Sequence, residues 1–133
     1  MEKVRLKLWH LRGQSLLEFA LVLPILLLLF FGIIEFGIIF SDNLIISQAA
    51  REGARVGVVG GSDEEIINTV EHIAGTLDRN RLQIAISPPE GERVRGDSLK
   101  VEVRYSVLIM TPFMAEIIPN PYPLGAAVTM RVE

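Results

Sequence analysis

The sequence has no cysteine, which excludes disulfides and thiolate metal sites. That absence is compatible with either redox compartment. Its two histidines, His10 and His72, belong to no HExxH or similar set, so the usual basis for a zinc centre is missing. No phosphate loop is present: Gly57-Val58-Val59-Gly60-Gly61 lacks the Lys-Ser/Thr that must follow. No Gly-x-Ser-x-Gly elbow occurs. The acids Asp63-Glu64-Glu65 are better explained by a helix N-terminus, where negative charge is favourable. A net charge of −3 is too slight to suggest a nucleic-acid partner. The chain therefore reads as non-enzymatic, with no cofactor and no nucleic acid.

What the chain does have is apolar sequence, concentrated near its start. Half of its 133 residues are hydrophobic. Removing residues 1–40 leaves about 93, enough for one modest core. Residues 1–13 form a basic leader, in which Lys3, Arg5, Lys7 and Arg12 face one acid, Glu2. Basic residues before an apolar run predict that the leader stays in the cytoplasm and that the rest is translocated. Trp9 and His10 are expected near the headgroups. Residues 14–40 are the expected transmembrane helix. Leu16 to Phe40 would extend about 37 Å, against a hydrocarbon core of ~30 Å, so it crosses with some tilt. Pro24 removes one helical hydrogen bond, which membrane helices tolerate. Gly32 and Gly37 thin the helix and favour close packing.

Two acids interrupt this run. Glu18 lies near one end, where its cost is modest; at the centre of a span an acid costs roughly 2.5–3.5 kcal/mol. Glu35 has no evident partner in the sequence. Residues 41–61 continue the helix, and Ala49, Gly53 and Gly57 recur every fourth residue. They make a smooth stripe on which a helix or sheet can pack. The helix is expected to run from Gln14 and to end near Gly60-Gly61. Arg51 and Arg55, four apart, can pair with acids of the domain or of a neighbouring subunit, or simply be solvated.

Three stretches carry a resemblance: Arg12-Gly13-Gln14-Ser15-Leu16-Leu17-Glu18-Phe19, Glu35-Phe36-Gly37 and Gln48-Ala49-Ala50-Arg51-Glu52-Gly53-Ala54-Arg55. The first is similar to the prepilin-peptidase site of type IV pilins. Together they resemble the TadE-like family of the tight-adherence (Flp) pilus system, over roughly residues 12–58. The resemblance implies a cut between Gly13 and Gln14 by prepilin peptidase. It implies that Glu18, fifth after the cut, meets the new N-terminal amine of a neighbouring subunit. The amine would stand four residues before Glu18, on the same helix face. Glu18, Glu35, Arg51 and Arg55 become the expected contacts with other pilin-like subunits.

Residues 62–133 are expected to be a small extracytoplasmic domain. Ser62 and Glu65 spell a capping box, and a helix is predicted from about Asp63 to Leu77, with His72 solvated. Leu82, Ile84 and Ile86 alternate as one strand, ended by Pro88-Pro89. Leu99 to Val107 alternate as a second, and Ala126 to Val132 as a third. Arg95-Gly96-Asp97 resembles the integrin-binding tripeptide, but a Gly-Asp pair is a favoured turn and a hairpin turn is the preferred reading. Leu108 to Leu124 is apolar and proline-rich and cannot be one regular element. We expect it to fold onto the core rather than to form a patch for a partner or the membrane surface.

The expected fold is therefore α+β: a long N-terminal helix, transmembrane segment plus extension, packed on one helix and an antiparallel sheet of about three strands. The expected protein is a minor pilin or pseudopilin, single-pass in the cytoplasmic membrane, with its N-terminus inside and its domain outside, entering a pilus after processing. The rival is an uncleaved, membrane-anchored binding module or accessory subunit.

Overall fold

The computed structural model describes residues 2–133, with side chains from Gly13 onward. The expected placement of the leader side chains at Lys3 to Arg12 lies outside the described residues. One helix, α1, runs from Glu2 to Val58 without a break. It starts well before Gln14, which corrects the expectation of a helix opening after Gly13. The leader is rich in Leu, Lys and Arg, good helix formers, and a lone glycine costs only ~1 kcal/mol. Pro24 lies inside the helix without ending it.

The stop of α1 is built by glycines. Gly60 takes a left-handed φ of 95°. Its N–H donates to Gly57 O at 3.3 Å, and Gly61 N–H donates to Val56 O at 3.0 Å. These two bonds make a Schellman motif, which satisfies carbonyls the helix end would otherwise leave open. The Glu133 N–H serves the Val58 carbonyl at 3.0 Å.

Helix α2 (Asp63–Ile73) starts at the expected capping box. Ser62 Oγ accepts from Glu65 N–H at 3.1 Å, and Glu65 Oε2 accepts from Ser62 N–H at 2.9 Å. Replacing Ser62 with alanine is expected to cost about 1 kcal/mol. Thermal unfolding of the detergent-solubilised chain would then shift down by roughly 5 °C. The helix ends at Ile73 rather than Leu77, because Ala74 and Gly75 leave the helical path in a turn. His72 is exposed, as predicted.

Three strands follow: β1 (Leu82–Ser87), β2 (Ser98–Val107) and β3 (Tyr122–Arg131). They form an antiparallel sheet in the order β1-β2-β3, with Ile84 opposite Val103 and Val103 opposite Ala126. A short helix, α3 (Met114–Ile117), interrupts the connection from β2 to β3. Strand β3 begins four residues before the expected Ala126, and Pro123 sits on this edge strand with its side exposed, where a missing N–H costs least. Arg95-Gly96-Asp97 forms a turn as expected, with Gly96 at φ 94° and Asp97 N–H donating to Val94 O at 3.0 Å. That turn is held against the end of β3 by Gly96 N–H to Val132 O and Val132 N–H to Asp97 O.

The core lies where α1 crosses the sheet. Ile46, Ala49, Ala50 and Ala54 of α1 are fully buried with Ile66 and Val70 of α2 and Leu99, Val101 and Val103 of β2. The predicted stripe is the contact. A Cβ at Gly53 would lie 2.7 Å from Val70 Cγ2, and one at Gly57 would lie 2.3 Å from Leu99 Cδ2. These glycines let α2 and β2 approach the backbone of α1. The same face continues downward through Ile39, Glu35 and Gly32, all buried. The domain thus covers α1 from Gly32 to Val58.

One side chain ties the connections together. The Arg93 side chain is only 7% exposed. Its Nη1 donates to Gly61 O at 2.8 Å, its Nε donates to Pro88 O at 3.2 Å, and its Nη2 pairs with Asp63. It joins the end of α1, the start of α2 and the loop after β1. Burial lowers the Arg93 pKa from its usual value, though a guanidinium stays charged.

Candidate functional site

Below the domain, α1 is bare. From Gln14 to Phe30 every residue is exposed, and Leu16, Phe19, Leu21, Ile25 and Leu29 present their side chains outward all round the helix. This bare part, to Phe31, is about 26 Å long. Apolar side chains displayed on every side are stable only in an apolar surrounding. The helix is the one described element long and apolar enough to cross a membrane.

The residues expected at the processing site stand at the foot of this segment. Gly13 and Gln14 lie within continuous helix, exposed, and nothing approaches the position of a Gly13 Cβ. The Gln14 side-chain Nε2 donates to Glu18 Oε1 at 3.1 Å. Residues 14 and 18 do share a helix face, and the carboxylate has a donor one turn away.

The other expected contact residues separate. Arg55 is exposed and pairs with Glu52 of its own helix, Nη2 to Oε2 at 2.8 Å. Such an exposed i, i+3 pair contributes little to stability. Arg51 is exposed and makes no ion pair among the described residues. Both arginines point away from the domain core. Glu35 does the opposite: it is 3% exposed and accepts a hydrogen bond from the Thr111 hydroxyl. The partner missing from the sequence reading comes from the β2–β3 connection of the same chain. No local signal marked Thr111, because the contact spans 76 positions.

That connection departs from expectation in part. Ile109 and Met114 fold onto the core as expected, at 5% and 7% exposure. Met114 Sδ lies 3.9 Å from where a Gly32 Cβ would be, so Gly32 does permit close packing. Gly37 has nothing within that range in this chain. Met110, Phe113 and Ile117 face outward, at 88%, 68% and 65%. A short loop cannot turn every apolar side chain toward one core, and its outer half is left uncovered. No sequence pattern marked Arg93 either: one of its carbonyl partners, Pro88, is five residues away, but the other, Gly61, is 32 positions away. Among the described residues, no group of three His, Cys, Asp or Glu could hold a metal ion.

An apolar helix, bare over most of a bilayer's hydrocarbon thickness and carrying a small α+β domain on its other half, fits a single-pass membrane protein. The family described as TadE-like protein matches residues 13–55, so this segment, about a third of the chain, is similar to that family. The match takes in the bare segment, Glu35 and the glycine at position 53, and stops before α2. No curated protein and no solved structure matches the chain.

Proposed function

We propose that the chain is a pilin-like subunit of a tight-adherence pilus, a minor pilin or pseudopilin with a structural or assembly role. The observation that carries this reading is the TadE-like match, which falls on a helix bare at one end and clothed by a domain at the other. The basic leader stays in the cytoplasm and the domain is held outside the cytoplasmic membrane. Prepilin peptidase cuts between Gly13 and Gln14. The cut removes Lys3, Arg5, Lys7 and Arg12 and frees an ammonium at Gln14, one turn from Glu18. In low dielectric an ammonium and a carboxylate attract strongly, and a satisfied pair is far cheaper than a lone charge. Glu18 then recruits the amine of a neighbouring subunit. Arg51 and Arg55, exposed on the far side of α1, are available to the same neighbours.

The test is the intact mass of the protein recovered from membranes, with and without the host's prepilin peptidase. A peptidase-dependent chain beginning at Gln14 is expected. A chain that keeps residues 1–13 in both strains would transfer the weight to an uncleaved, membrane-anchored binding module. Glu18→Ala is expected to insert normally and to reduce pilus assembly severalfold, as scored by sheared pili per cell; unchanged piliation would remove the role given to Glu18.

A further inference from the structure

We propose that the β2–β3 connection is a membrane-inserted wedge, and that its tip, Met110 to Phe113, sits among acyl chains beside α1. This rests on the reading of α1 as a membrane span. The first support is composition. Between Arg104 and Arg131 the only charged residue is Glu116. The exposed side chains at the tip are Met110, Pro112 and Phe113.

The second support is level. Pro112 and Phe113 lie against α1, enclosing with Leu27, Leu28 and Phe31 an apolar cleft of about 280 Å³. Thr111 stands opposite Glu35. Counted from Leu16, ~30 Å of hydrocarbon reaches to about Phe36. Glu35 and Thr111 then lie at the boundary, and Phe113, beside Phe31 and the turn below it, lies some 7 Å inside. That depth is usual for a segment lying in the membrane interface, about 5–10 Å. On the other side of α1 at this height, Ile33, Ile34 and Phe36 are also exposed. The tip and the helix thus share one apolar belt, and lipid is the occupant that covers both.

The third support is the backbone at Pro112 and on either side of the tip. Lipid-exposed loops fail because their polar groups go unpaired. Here Pro112 and Pro119 have no N–H to satisfy. Ile118 N–H donates to Met114 O at 2.9 Å, and Glu116 N–H donates to Phe113 O at 3.3 Å. The Asn120 side chain closes the neck, accepting from Ile109 N–H at 3.1 Å and donating to Ile109 O at 3.2 Å. The wedge has a consequence for Glu35. It brings a hydroxyl to a carboxylate that would otherwise meet lipid, and its apolar outer surface replaces that carboxylate toward the bilayer.

The experiment uses the full chain in phosphatidylcholine–phosphatidylglycerol vesicles. Trp9 is the only tryptophan, so Trp9→Phe gives a silent background. Into it go, one at a time, Met110→Trp, Phe113→Trp, Ile33→Trp in the span and Val94→Trp on the domain surface. Emission is read with and without lipids brominated high on the acyl chain. Met110→Trp and Phe113→Trp are expected to lose as much emission as Ile33→Trp, while Val94→Trp loses almost none. Met110 is so exposed that its replacement does not disturb folding. Tip variants that behave like Val94→Trp, while Ile33→Trp is quenched, would overturn the wedge and leave the span intact. Blue-shifted tip emission that bromine does not quench would also overturn it, placing a second copy on the tip. Loss of quenching at Ile33→Trp as well would overturn the membrane reading itself.

Discussion

Gly53→Leu is expected to destabilise the domain by about 3 kcal/mol, the upper end of ordinary overpacking costs. The position admits no side chain unless a neighbour shifts. A Cβ alone would stand 2.7 Å from Val70 Cγ2, 3.3 Å from Ile66 Cγ2 and 3.5 Å from Val101 Cγ1. Val70 and Ile66 are β-branched residues in a helix, held near one rotamer, so their methyl groups cannot swing aside. α2 must therefore lift off α1. Gly53→Ala sets two effects against each other. It gains ~1 kcal/mol of helix propensity and meets a clash of 1–3 kcal/mol, so a small net loss is expected. Gly57→Ala should be milder, because the atoms in its way, Leu99 Cδ2 and Ile66 Cδ1, are ends of longer side chains. Gly37→Ala, with open space around it, should be neutral or slightly stabilising. Thermal unfolding in detergent ranks the four. A Gly53→Leu protein as stable as Gly37→Ala would show that the close approach of α2 is not needed.

The stripe at Ala49, Gly53 and Gly57 was legible because the contact repeats every helical turn. The strands were legible because alternation is local: Leu99, Val101, Val103, Tyr105 and Val107 announce one buried face by themselves. The capping box was legible because all its atoms come from four consecutive residues. The early start of α1 was missed because the change from polar to apolar at Gly13 looks like a boundary, although the backbone meets no breaker there. The match to the TadE-like family stops at residue 55 and says nothing of the domain. Glu35 could be recognised as needing a partner, but not matched to Thr111, because only the folded sheet brings the loop back to the helix. Leu108 to Leu124 was read as covering the core because an isolated sequence cannot say which apolar residues will find room inside. Ile109 and Met114 are buried, Ile118, Tyr122 and Leu124 pack partly against the core, and Leu108, Met110, Phe113 and Ile117 are left exposed.

Arg93→Ala is expected to cost about 2–4 kcal/mol, although no pattern in the sequence distinguishes this arginine from its neighbours. The direct pair with Asp63 is not the main reason. Asp63 is about a third exposed, and water screens a pair that reaches the surface. The larger loss comes from the two carbonyls. Gly61 O and Pro88 O each give up an N–H donor, and a polar group stripped of its partner without regaining water costs ~1–3 kcal/mol. Asp63 also keeps only weak company, exchanging 3.3 Å hydrogen bonds with the Glu90 backbone and side chain. With the guanidinium gone, the end of α1, the start of α2 and the loop after β1 lose their common anchor. Arg93→Lys separates the two causes. Lysine keeps the charge beside Asp63 but cannot donate in a planar fork to both carbonyls. If the carbonyls dominate, Arg93→Lys recovers less than half of the loss, and high salt lowers wild-type stability only slightly. If Coulomb attraction dominates, Arg93→Lys restores most of it, and salt weakens the wild type as much as the alanine substitution does. Unfolding midpoints of the three proteins at low and high salt decide between these, and we expect the first.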